Sequence, residues 1–462
     1  MPGGKIGGEE ECRERDGDDD CAAGPMNRLA SDQSEDQQER KRERQSPETG
    51  GDRADAAVAD EEWTGGERDI ATEQGDERPA VRACIVSIRN YLRLFRLRHG
   101  APIAESRFMP SLFDPIELSP ALQLRNRILM APLTRGRATK EAVPTDLQRD
   151  YYAQRSGAGL IISEATGISR EGLGWPYAPG LWSDAQVEGW KPVVGAVHAA
   201  GGKMVAQLWH MGRIVPTGVS GLPAVSASAV RNDALGHSYG GKEPYPEPRA
   251  ASLDDIERII GDYASAARNA ISAGFDGVQI HGANGYLIDQ FLQDSTNQRC
   301  DEYGGPIENR ARLLLEVTDA VVSVWGADRV GVHLAPRGDA HDMGDSDIAT
   351  VFLYAARELG KRKLAFLCAR ESHDKPALGP SLKQAFGGIF IANEGFTAES
   401  ARLAIQSGTA DAVAFGKSAI ANPDLVARFR HAAPLNPPEP STFYNDGPVG
   451  YTDYPLFETA NI

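Results

Sequence analysis

From residue 109 onward the chain alternates short apolar runs with longer amphipathic stretches. The apolar runs are ILMA (128–131), LIIS (160–163), MVAQL (204–208), GVQI (277–280), VGVHL (330–334), LAFLC (364–368), GIFIA (388–392) and AVAF (412–415). Each is nearly continuous in hydrophobicity, the pattern of strands buried on both faces of a parallel sheet. The stretches between them read as helices with their own start signals. Ser183 precedes DAQVEGWKPVVGAVHAA, and Ser252 precedes LDDIERIIGDYASAARNAISAG, which ends at Gly274. Eight such units predict an α/β protein, a (β/α)8 TIM barrel with insertions. The longest insertion, roughly 210–251, follows the third run and is rich in Gly, Pro and Ser. It is expected to cap the barrel mouth as a lid or small subdomain.

Upstream the pattern changes twice. Residues 1–80 hold only four Leu, Ile, Val or Phe residues (Ile6, Leu29, Val58 and Ile70). So little apolar surface cannot offset the entropy of ordering, and an acidic, disordered extension is expected. Across 81–108, Ile85, Ile88, Leu92 and Phe95 recur at helical spacing, with Arg82, Arg89, Arg93 and Arg96 on other faces. Two readings stand: a basic membrane-surface helix, or a linker helix docked loosely or without selected structure. Ordinary globular sequence begins at Met109, a plausible start site, and the barrel domain is placed at 109–462.

Charge follows the same division. Residues 1–80 carry 24 acidic and 11 basic side chains, residues 81–108 one and six, and the remainder 40 and 32. A body so mildly acidic does not gather polyanions, which excludes nucleic-acid binding as its main task. No run reaches the ~18 apolar residues of a membrane span, and the N-terminus lacks the apolar core of a secretory signal. Five scattered cysteines (Cys12, Cys21, Cys84, Cys300 and Cys368) form no CxxC pair, which argues against a disulfide framework or a thiolate metal site. A reducing, cytoplasmic setting is expected. The tract DAHDMGDSD (339–347) resembles a cation loop but lacks EF-hand spacing, so it is read as a loop capping the next helix.

In such barrels the chemistry sits where strands end. The successive strand ends offer Pro132 and Thr134; Glu164 and Ala165; Gln207, Trp209 and His210; His281, Asn284 and Tyr286; His333; Asn393 and Glu394; Gly416 and Lys417. Carboxamides, imidazoles and hydroxyls with few carboxylates suit a flat heteroaromatic ligand better than a metal. A glycine and a lysine after the eighth strand, with backbone amides after the seventh, suit a phosphate. Taken alone, HGANGY (281–286) is equally a strand-to-loop turn. His281 and Asn284, three apart, are close enough to present two donors to one oxygen.

These residues fall within segments that resemble the old yellow enzyme family of FMN-dependent ene-reductases, close to N-ethylmaleimide and oxophytodienoate reductases. The matching segments are APLTRGRA (131–138), LIISEATGIS (160–169), QLWHMGR (207–213), HGANGYLIDQFL (281–292), DEYGGPIENR (301–310), FGKSAIANPDL (415–425) and GYTDYP (450–455). The resemblance implies that Pro132, Thr134, Ala165 and Gln207 hold the flavin ring of bound FMN. Asn393, Glu394, Gly416 and Lys417 would hold its phosphate. It implies that His281 and Asn284 bind the substrate oxygen, that Tyr286 gives the proton, and that Trp175, Trp209 and Tyr444 line the pocket. Each of these three aromatics is equally readable as packing.

The implied reductant is NADPH or NADH, the substrates activated alkenes (enones, maleimides, nitro compounds), and the assembly a monomer or homodimer. One departure stands out: the fifth strand of the family reads GVRLSP, here GVHLAP, so His333 occupies the position of a flavin-contacting arginine. Weaker FMN binding and a reduced state harder to reach are the expectation, with Arg337 a possible substitute for the missing charge. Since His333 weakens the match, the alternative reading is a pseudoenzyme, flavin-binding or unliganded, with an interaction role.

Overall fold

The computed structural model describes residues 109–338, 340–371 and 376–457. The expectations for 1–80 and 81–108 lie outside the described residues. Each apolar run becomes a strand: β1 Ile128–Met130, β2 Leu160–Gly167, β3 Met204–Trp209, β4 Gly277–Gly282, β5 Val330–Leu334, β6 Phe366–Arg370, β7 Phe390–Asn393 and β8 Ala412–Phe415. They pair in parallel, in sequence order, and β8 closes on β1.

Helices follow the strands: α1 Asp146–Gln154, α2 Asp184–Ala199, α3 Leu253–Ala273, α4 Arg312–Trp325, α5 Ile348–Lys361, α6 Gly379–Phe386, α7 Ala398–Ser407 and α8 Leu425–His431. The caps expected at Ser183 and Ser252 form, each hydroxyl accepting from the backbone N–H three residues on, and Gly274 ends α3 with φ +92°. The acidic tract behaves as a capping loop, for Asp347 accepts from the Thr350 N–H at 3.2 Å while Asp345 pairs with Arg310. No group of three or more His, Cys, Asp or Glu residues able to hold a metal occurs among the described residues. Nor is any described helix long and apolar enough to cross a membrane.

Along each strand alternate residues face the barrel axis. Leu129, Ala131, Leu160, Ile162, Val205, Phe366, Cys368, Ile391, Ala412 and Ala414 pack together as this inner core. Gly331 belongs to the same layer, where a Cβ would meet the Phe366 ring at 2.2 Å. A hairpin of Ile116–Ser119 and Leu122–Leu124, which the apolar pattern did not single out, contributes Ile116, Leu118, Leu122 and Leu124 to this core. Continuing the same alternation toward the strands' C-terminal ends replaces apolar residues with Gln207, Gln279, His281, His333, Arg370, Asn393 and Gly416. The barrel is therefore apolar within and polar at its mouth.

The insertion after β3 forms a parallel pair, Val225–Ser226 with Arg249–Ala250, and an antiparallel hairpin, Leu235–Ser238 with Gly241–Pro244. His237 of the hairpin lies 4.8 Å, ring to ring, from Trp175 in the loop after β2, and Tyr239 lies 5.1 Å from Tyr177. The expected capping role is consistent with these contacts.

Candidate functional site

Strand register sets the heights of the polar groups at the mouth. Ala165 is level with Gln207, Gln207 with Gln279, and His281 with His333. The Gln207 amide Nε2 donates to Gln279 Oε1 at 2.8 Å and lies 3.4 Å from His333 Nδ1. Burial pushes the His333 imidazole down to about 3, with the positive charge of Arg370 adding to the effect. His333 is thus neutral; with Nδ1 accepting from Gln207, its proton sits on Nε2. A neutral imidazole brings no permanent charge to this position. Arg337, the candidate substitute, pairs with Glu371 at 3.6 Å.

His281 is also held neutral, its pKa lowered well below the ordinary value by burial, then by His333 and Arg370. Its ring lies 5.5 Å from that of His333 and 5.1 Å from that of Tyr286. Trp209 closes this group, 4.9 Å from Tyr286 and 6.4 Å from His281. Beyond them the chain turns sharply. Asn284 (φ +59°) and Gly285 (φ +74°) are left-handed, and a Cβ on Gly285 would meet Met343, Ala340 and His341 within 3 Å. The buried Asp289 carboxylate accepts from the Gly285 N–H at 2.9 Å and from Gln293 at 2.7 Å. Burial pushes that carboxyl up to about 7.

Four buried polar atoms around this cluster lack a hydrogen-bond partner among the described residues: His281 Nδ1, His333 Nε2, Gln279 Nε2 and Trp209 Nε1. Each orphaned buried group costs about 1–3 kcal/mol, so their convergence marks a place built for a ligand. Neutral donors of this kind match the carbonyls and ring nitrogens of a flat heterocycle, which is the test FMN must pass; the residues present fit it.

The remaining expected residues divide. Thr134 and Pro132 lie half-buried just after β1. Asn393 spends its side-chain amide on the Ala414 carbonyl at 2.9 Å, and Glu394 pairs with Arg370 at 2.9 Å, so what these two offer a ligand is backbone. Glu394 (φ +84°) and Gly395 (φ +69°) turn that backbone away from β7. Gly416 comes just after β8 and Lys417, exposed, follows it. Trp175 lies 4.9 Å from the half-exposed Tyr444, the rings tilted at 52°, and packs on the apolar cluster that includes Trp209. Glu164, expected at a strand end, lies within β2, which runs on to Gly167, and is turned to structure, accepting from the Arg135 N–H at 3.0 Å and Gln148 at 2.9 Å. Gln279 and Arg370 were not among the expected site residues; the two-residue alternation through His281 and Cys368 was the signal for both.

Residues 111–436 match the family described as "NADH:flavin oxidoreductase / NADH oxidase family". A Leishmania infantum protein named "Probable flavin mononucleotide-dependent alkene reductase" is 45% identical over 345 residues, which cover 72% of this chain and 94% of that protein. Among solved structures, the old yellow enzyme homologue of Zymomonas mobilis superposes with a TM-score of 0.74 at 54% identity, covering 75% of this chain and 100% of that one. Morphinone reductase in complex with tetrahydroNAD superposes with a TM-score of 0.74 at 46% identity, covering 76% and 99%.

Proposed function

Because the chain belongs to the NADH:flavin oxidoreductase / NADH oxidase family, that of the old yellow enzymes, we infer that it is an FMN-dependent ene-reductase. It reduces the C=C bond of activated alkenes at the expense of NAD(P)H. FMN held at the barrel mouth would supply the hydride chemistry between nicotinamide and alkene. The observation that carries this reading is the set of four unspent buried polar atoms at the barrel mouth.

The chain's own residues take the following parts. Gln279 and His333 would donate to the acceptor edge of the flavin ring, and Gln207, whose amide hydrogens go to Gln279 and His333, would offer its side-chain oxygen to a ring N–H, with Pro132, Thr134 and Ala165 also holding the ring. Backbone at Asn393, Glu394 and Gly416, with the Lys417 ammonium, takes the phosphate. His281 and Asn284 donate to the carbonyl or nitro oxygen of the substrate, whose charge grows as its β-carbon accepts hydride. The Tyr286 hydroxyl protonates the substrate α-carbon. Trp209, beside both rings, orients the substrate plane, and Trp175 and Tyr444 line the outer approach. Enones, maleimides and nitroalkenes are the substrate class.

An anaerobic visible spectrum of the purified protein tests the reading. A flavin band that NADPH bleaches and 2-cyclohexenone restores is expected. A protein that stays colourless after reconstitution with FMN would favour the pseudoenzyme instead.

His333 yields a separate expectation. A neutral imidazole balances the negative charge of reduced flavin poorly, whereas a guanidinium is permanently charged. His333→Arg should lower the FMN dissociation constant by about tenfold, roughly 1.4 kcal/mol, and speed reduction by NADPH. Titration of apoprotein with FMN reads the first effect. Unchanged affinity together with unchanged reduction would refute the assignment of His333 to the flavin edge.

A further inference from the structure

We propose that Arg370 is a positioning residue that fixes the amide of Asn284 with its nitrogen free for the substrate; this rests on the reading of Asn284 as a donor to the substrate oxygen. Arg370 ends β6 as an inward-facing residue of the polar ring. Its Nη1 donates to Asn284 Oδ1 at 2.8 Å, while Nη2 and Nε reach the Glu394 carboxylate at 3.1 Å and 2.9 Å.

The chemistry of the contact dictates the orientation. A guanidinium carries five N–H donors and no acceptor, so only the oxygen of a carboxamide can face it. Nδ2 and its two hydrogens are thereby turned to the far side of the amide. Without such a partner the terminal torsion of asparagine is broad and roughly two-fold, presenting oxygen or nitrogen alike. An oxygen turned toward a developing enolate would repel it. The charge behind Oδ1 also polarises the amide and strengthens its N–H as a donor.

The arm is held at both ends. Glu394 anchors the guanidinium, and both residues that Arg370 joins are left-handed, Asn284 at φ +59° and Glu394 at φ +84°. A glutamate in that region is strained and persists only where its surroundings hold it. On the opposite side, His341 Nδ1 donates to the Asn284 carbonyl at 2.8 Å, fixing the backbone while Arg370 fixes the side chain.

A two-by-two cycle on FMN-loaded protein tests the proposal: Asn284→Ala, Arg370→Met and both together. Flavin reoxidation by 2-cyclohexenone is followed in single turnover, and melting temperature and flavin content are checked for every variant. Arg370→Met should lower the limiting rate by about 10–100-fold, less than the 10²–10³ that deleting a donor costs. In the Asn284→Ala background the same change should alter the rate by no more than about threefold, because residues acting as one unit are not additive. Cyclohexanone, which cannot be reduced, should bind Arg370→Met about threefold more weakly, a fraction of one hydrogen bond, and the double variant no more weakly than Asn284→Ala.

Effects that multiply in the double variant would overturn the proposal, as would a near-normal rate in Arg370→Met when Asn284→Ala is crippled. A near-normal rate in Asn284→Ala would instead remove the underlying reading. Should Arg370→Met fail to fold, Arg370→Lys enters the same cycle. An ammonium still donates to Oδ1 but lacks the fork that also grips Glu394, so an intermediate loss, absent in the Asn284→Ala background, is expected. Loss of equal size in both backgrounds would count against the proposal.

Discussion

Alanine at both His281 and Asn284 should lower the rate of 2-cyclohexenone reduction by at least about 10³-fold, because each donor to a developing oxyanion accounts for 10²–10³-fold. The size of the effect follows from the surroundings. His281 is buried and neutral, so it enters the pocket as a single N–H donor rather than as an imidazolium. Its protonated form is suppressed by burial and by Arg370, so it stays the same donor across neutral and mildly acidic pH. The factor lost should therefore be equal at pH 6 and pH 8. Stopped-flow reoxidation of the FMN-loaded variant measures it, with the NADPH-driven step recorded separately. A double variant within about tenfold of the parent would sink the assignment. A loss confined to acid pH would mean that His281 works as a cation.

Arg135→Ala should cost about 3–5 kcal/mol of stability, a large effect for a residue outside the site. Arg135 is fully buried, and its guanidinium donates to the Phe443 carbonyl at 3.0 Å, the Gly450 carbonyl at 2.8 Å and the Tyr151 hydroxyl at 3.1 Å. It lies over the rings of Tyr151, Tyr451 and Phe443 at 5.0–5.5 Å. Arg137 adds bonds to the carbonyls of Phe443 at 2.6 Å and Thr442 at 2.9 Å, and Arg155 reaches Tyr451 at 3.3 Å. Three guanidinium groups thus clamp the segment 442–451, which carries Tyr444, against the barrel. Removing Arg135 strands the Gly450 carbonyl, takes a donor from the Tyr151 hydroxyl and leaves the Phe443 carbonyl to Arg137 alone. Arg135→Lys should rescue little, since one ammonium cannot reproduce the planar fork. Urea unfolding gives the stability, and limited proteolysis should cut within 436–451 in the variant. A loss below about 1 kcal/mol would show that the clamp is redundant.

The barrel was legible because its strands are covered on both faces. Burial on two sides forces continuous hydrophobicity, so the run VGVHL and the strand Val330–Leu334 coincide. Short half-buried strands leave a weaker trace: the hairpin of Ile116–Ser119 and Leu122–Leu124 alternates over only a few residues. His281, Asn284 and Tyr286 were legible as a compact motif within six positions. Gln279 was overlooked because one polar residue inside an apolar run looks incidental, although it shares an inward face with His281. Arg370 was overlooked because its partners, Asn284 and Glu394, are 86 and 24 residues away.

From the sequence by itself follow the eight-fold alternation, the helix caps, the family and the types of group at each strand end, all of them local properties of a few adjacent residues. Only the tertiary structure decided that APLTRGRA uses its arginines as a clamp rather than toward the site. The charge state of His333 was likewise settled by burial, and the facing of Asn284 by a guanidinium from another strand. Burial and pairing arise between distant segments, and a side chain's proton affinity and orientation depend on what surrounds it, not on its neighbours in the chain.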